Sequence, residues 1–333
     1  MTDPQTAADA AERVQAELYY RDEQVTLLLG DTLDVLRAMP DASVDCIVTS
    51  PPYYGLRDYG VPGQYGLEPT VAEYVETMRI VFAEARRVLA DDGTLWLNLG
   101  DSYATGPTGT RKSSGLQGAP NSTTTTAGMG DKTRCGVPEK NLLMVPERTA
   151  LALQDDGWIL RNKIVWDRPN AMPESVTDRF STRYEHIFLF SRSRRYWFNL
   201  DAVREPHKAP GRIAGVGAFG ARNANHVRTG TGVYTGQHAL GANPGDIWTI
   251  ATRPNPQAHF ATFPVDLPLR CIKAGCKPGG TVLDPFSGSG TTGEAARMLG
   301  RRYVGIDLNP AYHNLAVKRF AQPVLDFAEG ATA

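Results

Sequence analysis

Apolar residues recur along this chain with two alternating periods. Short runs at residues 24–29, 44–48, 94–99, 281–284 and 303–307 are rich in Val, Ile and Leu and bounded by turn formers, as buried strands are. Between them, residues 32–39, 71–89, 267–274, 293–299 and 310–320 carry apolar positions three and four apart. The clearest case is Val71, Tyr74, Val75, Met78, Val81, Phe82, Ala85, Val88 and Leu89, which form one helical face. Strands alternating with helices predict an α/β fold with a doubly wound, mostly parallel sheet. Residues 145–155 read as a further helix, residues 158–166 and 184–190 as an antiparallel hairpin at the sheet edge, and residues 6–19 as an Ala- and Glu-rich leading helix.

The strand ends carry the chemistry. Asp31, Ser50, Asp101, Asp284 and Asp307 all stand at or just past the end of an expected strand, the edge where open parallel sheets bind ligands. For Asp31, capping the following helix is an equal alternative. At Ser50-Pro51-Pro52-Tyr53, two prolines remove two backbone donors and leave carbonyls that only accept, beside a hydroxyl and an aromatic ring. Such a loop suits a planar group bearing an amino function, although a Pro-rich turn closing a strand has the same composition.

Gly288-Ser289-Gly290-Thr291-Thr292-Gly293 satisfies GxGxxG, with Asp307 19 residues past its first glycine, the position of a ribose-binding acid. A dinucleotide-dependent dehydrogenase is one reading. Against it, only 26 residues follow Asp307, too few to complete a Rossmann domain downstream. Asp284, ahead of the loop, would repel a pyrophosphate and attract the ammonium and sulfonium of S-adenosylmethionine. The missing strands must come from the N-terminal half, so the sheet is permuted.

Composition adds a second region. The 333 residues carry a net charge of -1, yet residues 157–230 hold thirteen Lys or Arg against six Asp or Glu. Arg192, Arg194, Arg195, Arg204, Lys208, Arg212, Arg222 and Arg228, interleaved with aromatic residues and glycines, are the candidate phosphate contacts. Residues 104–138 are rich in Thr, Ser and Gly and read as a mobile loop. The four cysteines lack CxxC spacing and indicate neither a zinc site nor a disulfide framework; Cys46 and Cys271 read as core residues. With no run of about eighteen apolar residues and no signal-like N-terminus, a soluble cytoplasmic protein with no membrane partner is expected.

Three motifs in this order, Thr49-Ser50-Pro51-Pro52-Tyr53, then His259-Phe260-Ala261-Thr262-Phe263-Pro264, then Asp284-Pro285-Phe286-Ser287-Gly288-Ser289-Gly290-Thr291-Thr292, resemble the β class of amino-methylating DNA methyltransferases. The resemblance implies a Rossmann-like S-adenosylmethionine-dependent fold in which the catalytic half, residues 24–190, precedes a basic target-recognition insert, residues 191–256, and a cofactor half, residues 257–320. It implies cofactor contacts from Asp31, Thr262, Phe263, Asp284, Phe286, Gly288, Gly290 and Asp307, and catalysis at Ser50, Pro51, Pro52 and Tyr53. The partner implied is double-stranded DNA, with a companion restriction endonuclease where the enzyme serves a restriction-modification system. In this superfamily Ser-Pro-Pro-Tyr is commoner with cytosine N4 than with adenine N6, so cytosine N4 is the expected target and adenine N6 the alternative. Carbon-5 methylation, which in its family uses a Pro-Cys nucleophile, is excluded because no Pro-Cys occurs. On this reading Ser50 and the Pro51 carbonyl accept the two N–H bonds of a flipped base, and Tyr53 stacks on it for about 1–3 kcal/mol.

Overall fold

A computed structural model describes residues 17–56, 60–105, 137–207, 238–252 and 263–321. Its elements are β1 (Glu17–Arg21), β2 (Val25–Leu29), α1 (Thr32–Ala38), β3 (Val44–Thr49), α2 (Val71–Val88), β4 (Leu89–Leu99), α3 (Val145–Asp155), β5 (Ile159–Asp167), β6 (Tyr184–Ser191), β7 (Ile247–Thr249), α4 (Asp266–Gly275), β8 (Thr281–Asp284), α5 (Thr291–Met298), β9 (Arg302–Asp307) and α6 (Pro310–Phe320). The strands form one sheet in the order β1-β2-β9-β8-β3-β4-β6-β5-β7. The five strands from β2 to β4 are parallel, and β6 runs antiparallel to both β4 and β5.

Side-chain alternation along the buried strands divides the core into two layers. Ile47 of β3 joins Val35, Tyr74, Met78, Phe82 and Leu153 from α1, α2 and α3 on one face. Cys46 and Val48 join Leu267, Cys271, Ile272, Ala295 and Phe320 from α4, α5 and α6 on the other. These strands are covered on both sides, which is why their sequences are continuously apolar. The longest helix, α2, begins at a capping box in which Thr70 accepts from the Glu73 N–H while Glu73 accepts from the Thr70 N–H, an arrangement worth about 1 kcal/mol.

The structure amends the expected pattern at both sheet edges. Residues 17–21 are a strand, β1, antiparallel to β2; residues 1–16 lie outside the described set. Its Tyr19 hydroxyl donates to Asn314 of α6 at 2.9 Å, and the Tyr19 and His313 rings lie 5.0 Å apart. At the other side β5 and β6 do pair antiparallel, but β7 lies outside them, so the pair is not the edge. Most of the expected loop, residues 106–136, falls outside the described residues. Its flanks meet, with Ala104 N–H donating to Asn141 O at 2.8 Å. Among the described residues no helix is long and apolar enough to cross a membrane.

Candidate active site

Strand order reverses between β8 and β3, and their C-terminal ends place Asp284 and Ser50 side by side. The joint is direct: Thr49 donates its hydroxyl to Asp284 Oδ1 at 2.7 Å, across 235 residues of sequence. Around this point opens a cleft of about 240 Å³, lined on one side by Ser50, Pro51, Pro52, Tyr53, Asn98, Trp166, Arg168 and Glu185 and on the other by Phe263, Asp284, Phe286, Gly288 and Asp307.

On the glycine-loop side, Asp284 is 2% exposed. It also accepts from the Thr292 hydroxyl at 2.7 Å and the Phe286 N–H at 3.1 Å. Burial outweighs these hydrogen bonds and pushes its carboxyl up to about 6. Asp307 is pushed to about 6 for the same reason, against the pull of the Asn309 and Gly288 N–H groups, which it accepts at 2.8 Å each. Two acids that burial drives toward neutrality face one cleft, a surrounding that a cationic ligand would relieve. Gly288, at φ +50, has open space where a Cβ would stand, so backbone can approach a ligand there. Phe286 packs edge-on against Tyr65 at 5.4 Å.

On the proline side, the Pro52 carbonyl is taken by the Tyr74 hydroxyl at 2.9 Å. The Pro51 carbonyl accepts nothing among the described residues. Ser50 donates its hydroxyl to the Tyr53 oxygen at 3.2 Å, which leaves its lone pairs as acceptors. The Tyr53 hydroxyl lies 2.6 Å from Glu185 Oε2 and 3.1 Å from Asn98 Oδ1. Glu185 is in turn gripped by Arg168 at 2.7 Å and by the Asn98 amide at 3.1 Å. Burial, then the Glu185 charge, holds the Tyr53 phenol far above its ordinary range, so it stays protonated. The Tyr53 ring lies on Gly100, where a Cβ would come within 2.6 Å of Cε2.

The chain matches the model of the DNA methylase family, which covers N6- and N4-methylating enzymes, over residues 44–318. It belongs to that family. The Type II methyltransferase M.Cfr9I of Citrobacter freundii is 44% identical over 296 residues, 88% of this chain and 87% of the relative. The Type II methyltransferase M.SmaI of Serratia marcescens is 40% identical over 88% of this chain and 89% of its own. The cytosine-N4-specific PvuII DNA methyltransferase shares the fold at a TM-score of 0.62 with 19% identity, over 92% of this chain and 90% of that one. A putative DNA modification methylase of Thermus thermophilus, solved in complex with S-adenosyl-L-methionine, superposes at 0.55 with 24% identity over 91% and 97%.

Not every candidate residue of this methylase reaches the cleft. Asp31 caps α1, accepting from the Leu33 and Asp34 N–H groups, and its oxygens also take the Tyr65 hydroxyl at 3.1 and 2.9 Å; Thr32 rather than Asp31 lines the cleft. Asp101 accepts from the Val145 and Ser102 N–H groups, a structural role. Gly290, at φ +78, serves packing, since a Cβ there would strike Phe320 and Ala316. Thr262 lies outside the described residues.

The expected DNA contacts change most. Because β6 is antiparallel, the chain leaves the cleft at Glu185 and reaches Ser191 about 20 Å away, at the opposite end of the strands. Arg192 is committed there, donating to the Arg87 and Leu89 carbonyls and pairing with Asp91 at 3.3 Å. Arg194 and Arg195 follow it, exposed and on the wrong side for the cleft. Arg204 is tied to Asp201 at 2.6 Å and to the Gly241 carbonyl. Lys208, Arg212, Arg222 and Arg228 lie outside the described residues. Asn98, Arg168 and Glu185, by contrast, were not singled out in the sequence and stand at the centre of the site.

Proposed function

We propose that this methylase transfers a methyl group from S-adenosylmethionine to the exocyclic N4 amino group of a cytosine flipped out of duplex DNA. The observation that carries the reading is the acceptor pair at the tip of β3: the lone pairs of Ser50 and the Pro51 carbonyl, unengaged among the described residues, adjoining the buried acids of the glycine loop. Asp284, Asp307, Phe286, Phe263 and the open backbone at Gly288 would hold the cofactor, which supplies an electrophilic methyl on a sulfonium. Accepting both N–H bonds of the amino group would withdraw its lone pair from conjugation and leave it free to attack. Unstacking the base costs a few kcal/mol, an amount comparable with stacking in the site, so phosphate contacts must supply the surplus binding. The Type II names of the relatives support a role in a restriction-modification system, with a cognate endonuclease as companion, and the segment from residue 191 to 256 remains the proposed source of target recognition.

The deciding experiment incubates the protein with labelled S-adenosylmethionine and duplex DNA, hydrolyses the product and identifies the nucleoside by mass spectrometry. N4-methylcytosine is expected. Labelled 6-methyladenine alone overturns the base assignment. Ser50→Ala should lower transfer at least about 10²-fold with cofactor affinity unchanged by calorimetry.

A further inference from the structure

Methylation of an amino group creates a disposal problem. As the N–C bond forms and the S–C bond breaks, its electron pair staying on the departing thioether, the nitrogen is left with one proton in excess. Ser50 is the acceptor nearest that proton on the reading above, but a protonated hydroxyl is a strong acid and cannot keep it.

The hydrogen bonds around Ser50 all point one way. Its O–H donates to the Tyr53 oxygen at 3.2 Å, and the Tyr53 O–H donates to Glu185 Oε2 at 2.6 Å, the shorter of its two contacts. The chain ends on a carboxylate that is itself fixed: Arg168 holds Oε1 at 2.7 Å, and Asn98 braces Oε2 at 3.1 Å while also donating to the His186 carbonyl. The Glu185 side chain is 12% exposed. Holding a carboxylate in so dry a place is costly, and among the described residues the ion pair with Arg168 engages Oε1 while Oε2 takes only the Tyr53 and Asn98 hydrogen bonds.

We infer that Ser50, Tyr53 and Glu185 form a proton relay that carries the excess proton of the methylated amine out of the active site. The nitrogen's proton passes to Ser50 Oγ as the N–C bond forms, the Ser50 proton passes to the Tyr53 oxygen, and the Tyr53 proton passes to Glu185 Oε2. Both hydroxyls end with the proton count they began with, and Glu185 becomes a neutral acid that later loses its proton to solvent. No ionised tyrosine arises, because Tyr53 gives one proton as it receives another; its raised pKa accords with that. Glu185 touches no reacting atom, so it is a positioning residue that acts through Tyr53.

The inference rests on the proposed amino-group chemistry and has its own test. Single-turnover transfer to duplex DNA is measured for the wild type, Glu185→Gln, Tyr53→Phe and the double variant, with solvent isotope effects. DNA and cofactor affinities come from anisotropy and calorimetry, and folding from thermal melts. The Gln keeps the size of Glu185 and an oxygen for the Tyr53 and Asn98 contacts but gives up the Arg168 ion pair; the Phe keeps the ring but cuts the relay, so it serves if Glu185→Gln does not fold. Each single variant should slow transfer about 10-fold or more and lose the solvent isotope effect. Affinities should stay within about twofold, and the double variant should be no slower than the slower single. Unchanged single-turnover rates, additive losses, or an isotope effect that survives in the folded variants overturns the relay. That failure is separable from failure of the functional reading, which the identity of the methylated nucleoside decides in the wild type.

Discussion

Asp284 is bound by two hydroxyls and a peptide N–H, and burial raises it to about 6. A carboxyl whose folded pKa exceeds its unfolded value contributes stability that is complete below the unfolded value, near 4, and is lost as pH rises through about 6. Two units correspond to about 3 kcal/mol, so at pH 8 the ligand-free protein carries that strain. Asp284→Asn is therefore expected to raise the melting temperature at pH 8 by a few degrees and to do little at pH 4, as scanning calorimetry at the two pH values would show. The same ionisation should appear in ligand binding with the opposite sign. Affinity for S-adenosylmethionine should weaken about tenfold or more as pH falls from 8 to 5, and the Asn variant should bind weakly with a flattened profile by titration calorimetry.

Elements were legible where burial imposed a period. Helices α3 and α6 have the bounds that their spacing predicts, and the buried strands are displaced by a residue or two at most, except for β4, which also takes in residues 89–93. Glu17, Leu18 and Tyr19 lie in a strand rather than in the expected helix, because an edge strand, half exposed, follows no face strictly. Strand tips at Asp284 and Ser50 could be paired by topology rules. Asn98 and Glu185 could not, since their shared partner Tyr53 lies 45 and 132 residues away and neither sits in a motif. The direction of β6 matters most for DNA. It moves Arg194 and Arg195 away from the cleft, so replacing both by Ala should leave DNA affinity and the slope of its salt dependence unchanged in anisotropy titrations. A slope reduced by about two would return them to the interface.

Across the whole molecule, the cofactor strands are not an appendage. β8 and β9 sit between β2 and β3 in the middle of the sheet, so truncation after residue 262 would leave two long apolar edges facing solvent. Such a fragment is expected to aggregate, and gel filtration with circular dichroism would expose any fragment that stays monomeric and folded. The pairing of β3 with β8 also joins segments more than 230 residues apart, which delays folding until the last quarter of the chain is available. Tyr19 of the first described strand, meanwhile, touches His313 and Asn314 of the last described helix. A linker long enough to span the two ends of the described chain would close it into a ring, and a ring has no first motif. Opened elsewhere, the same sheet would be written with the glycine loop ahead of Ser50, so the order in which the two halves are translated is a property of the gene rather than of the site.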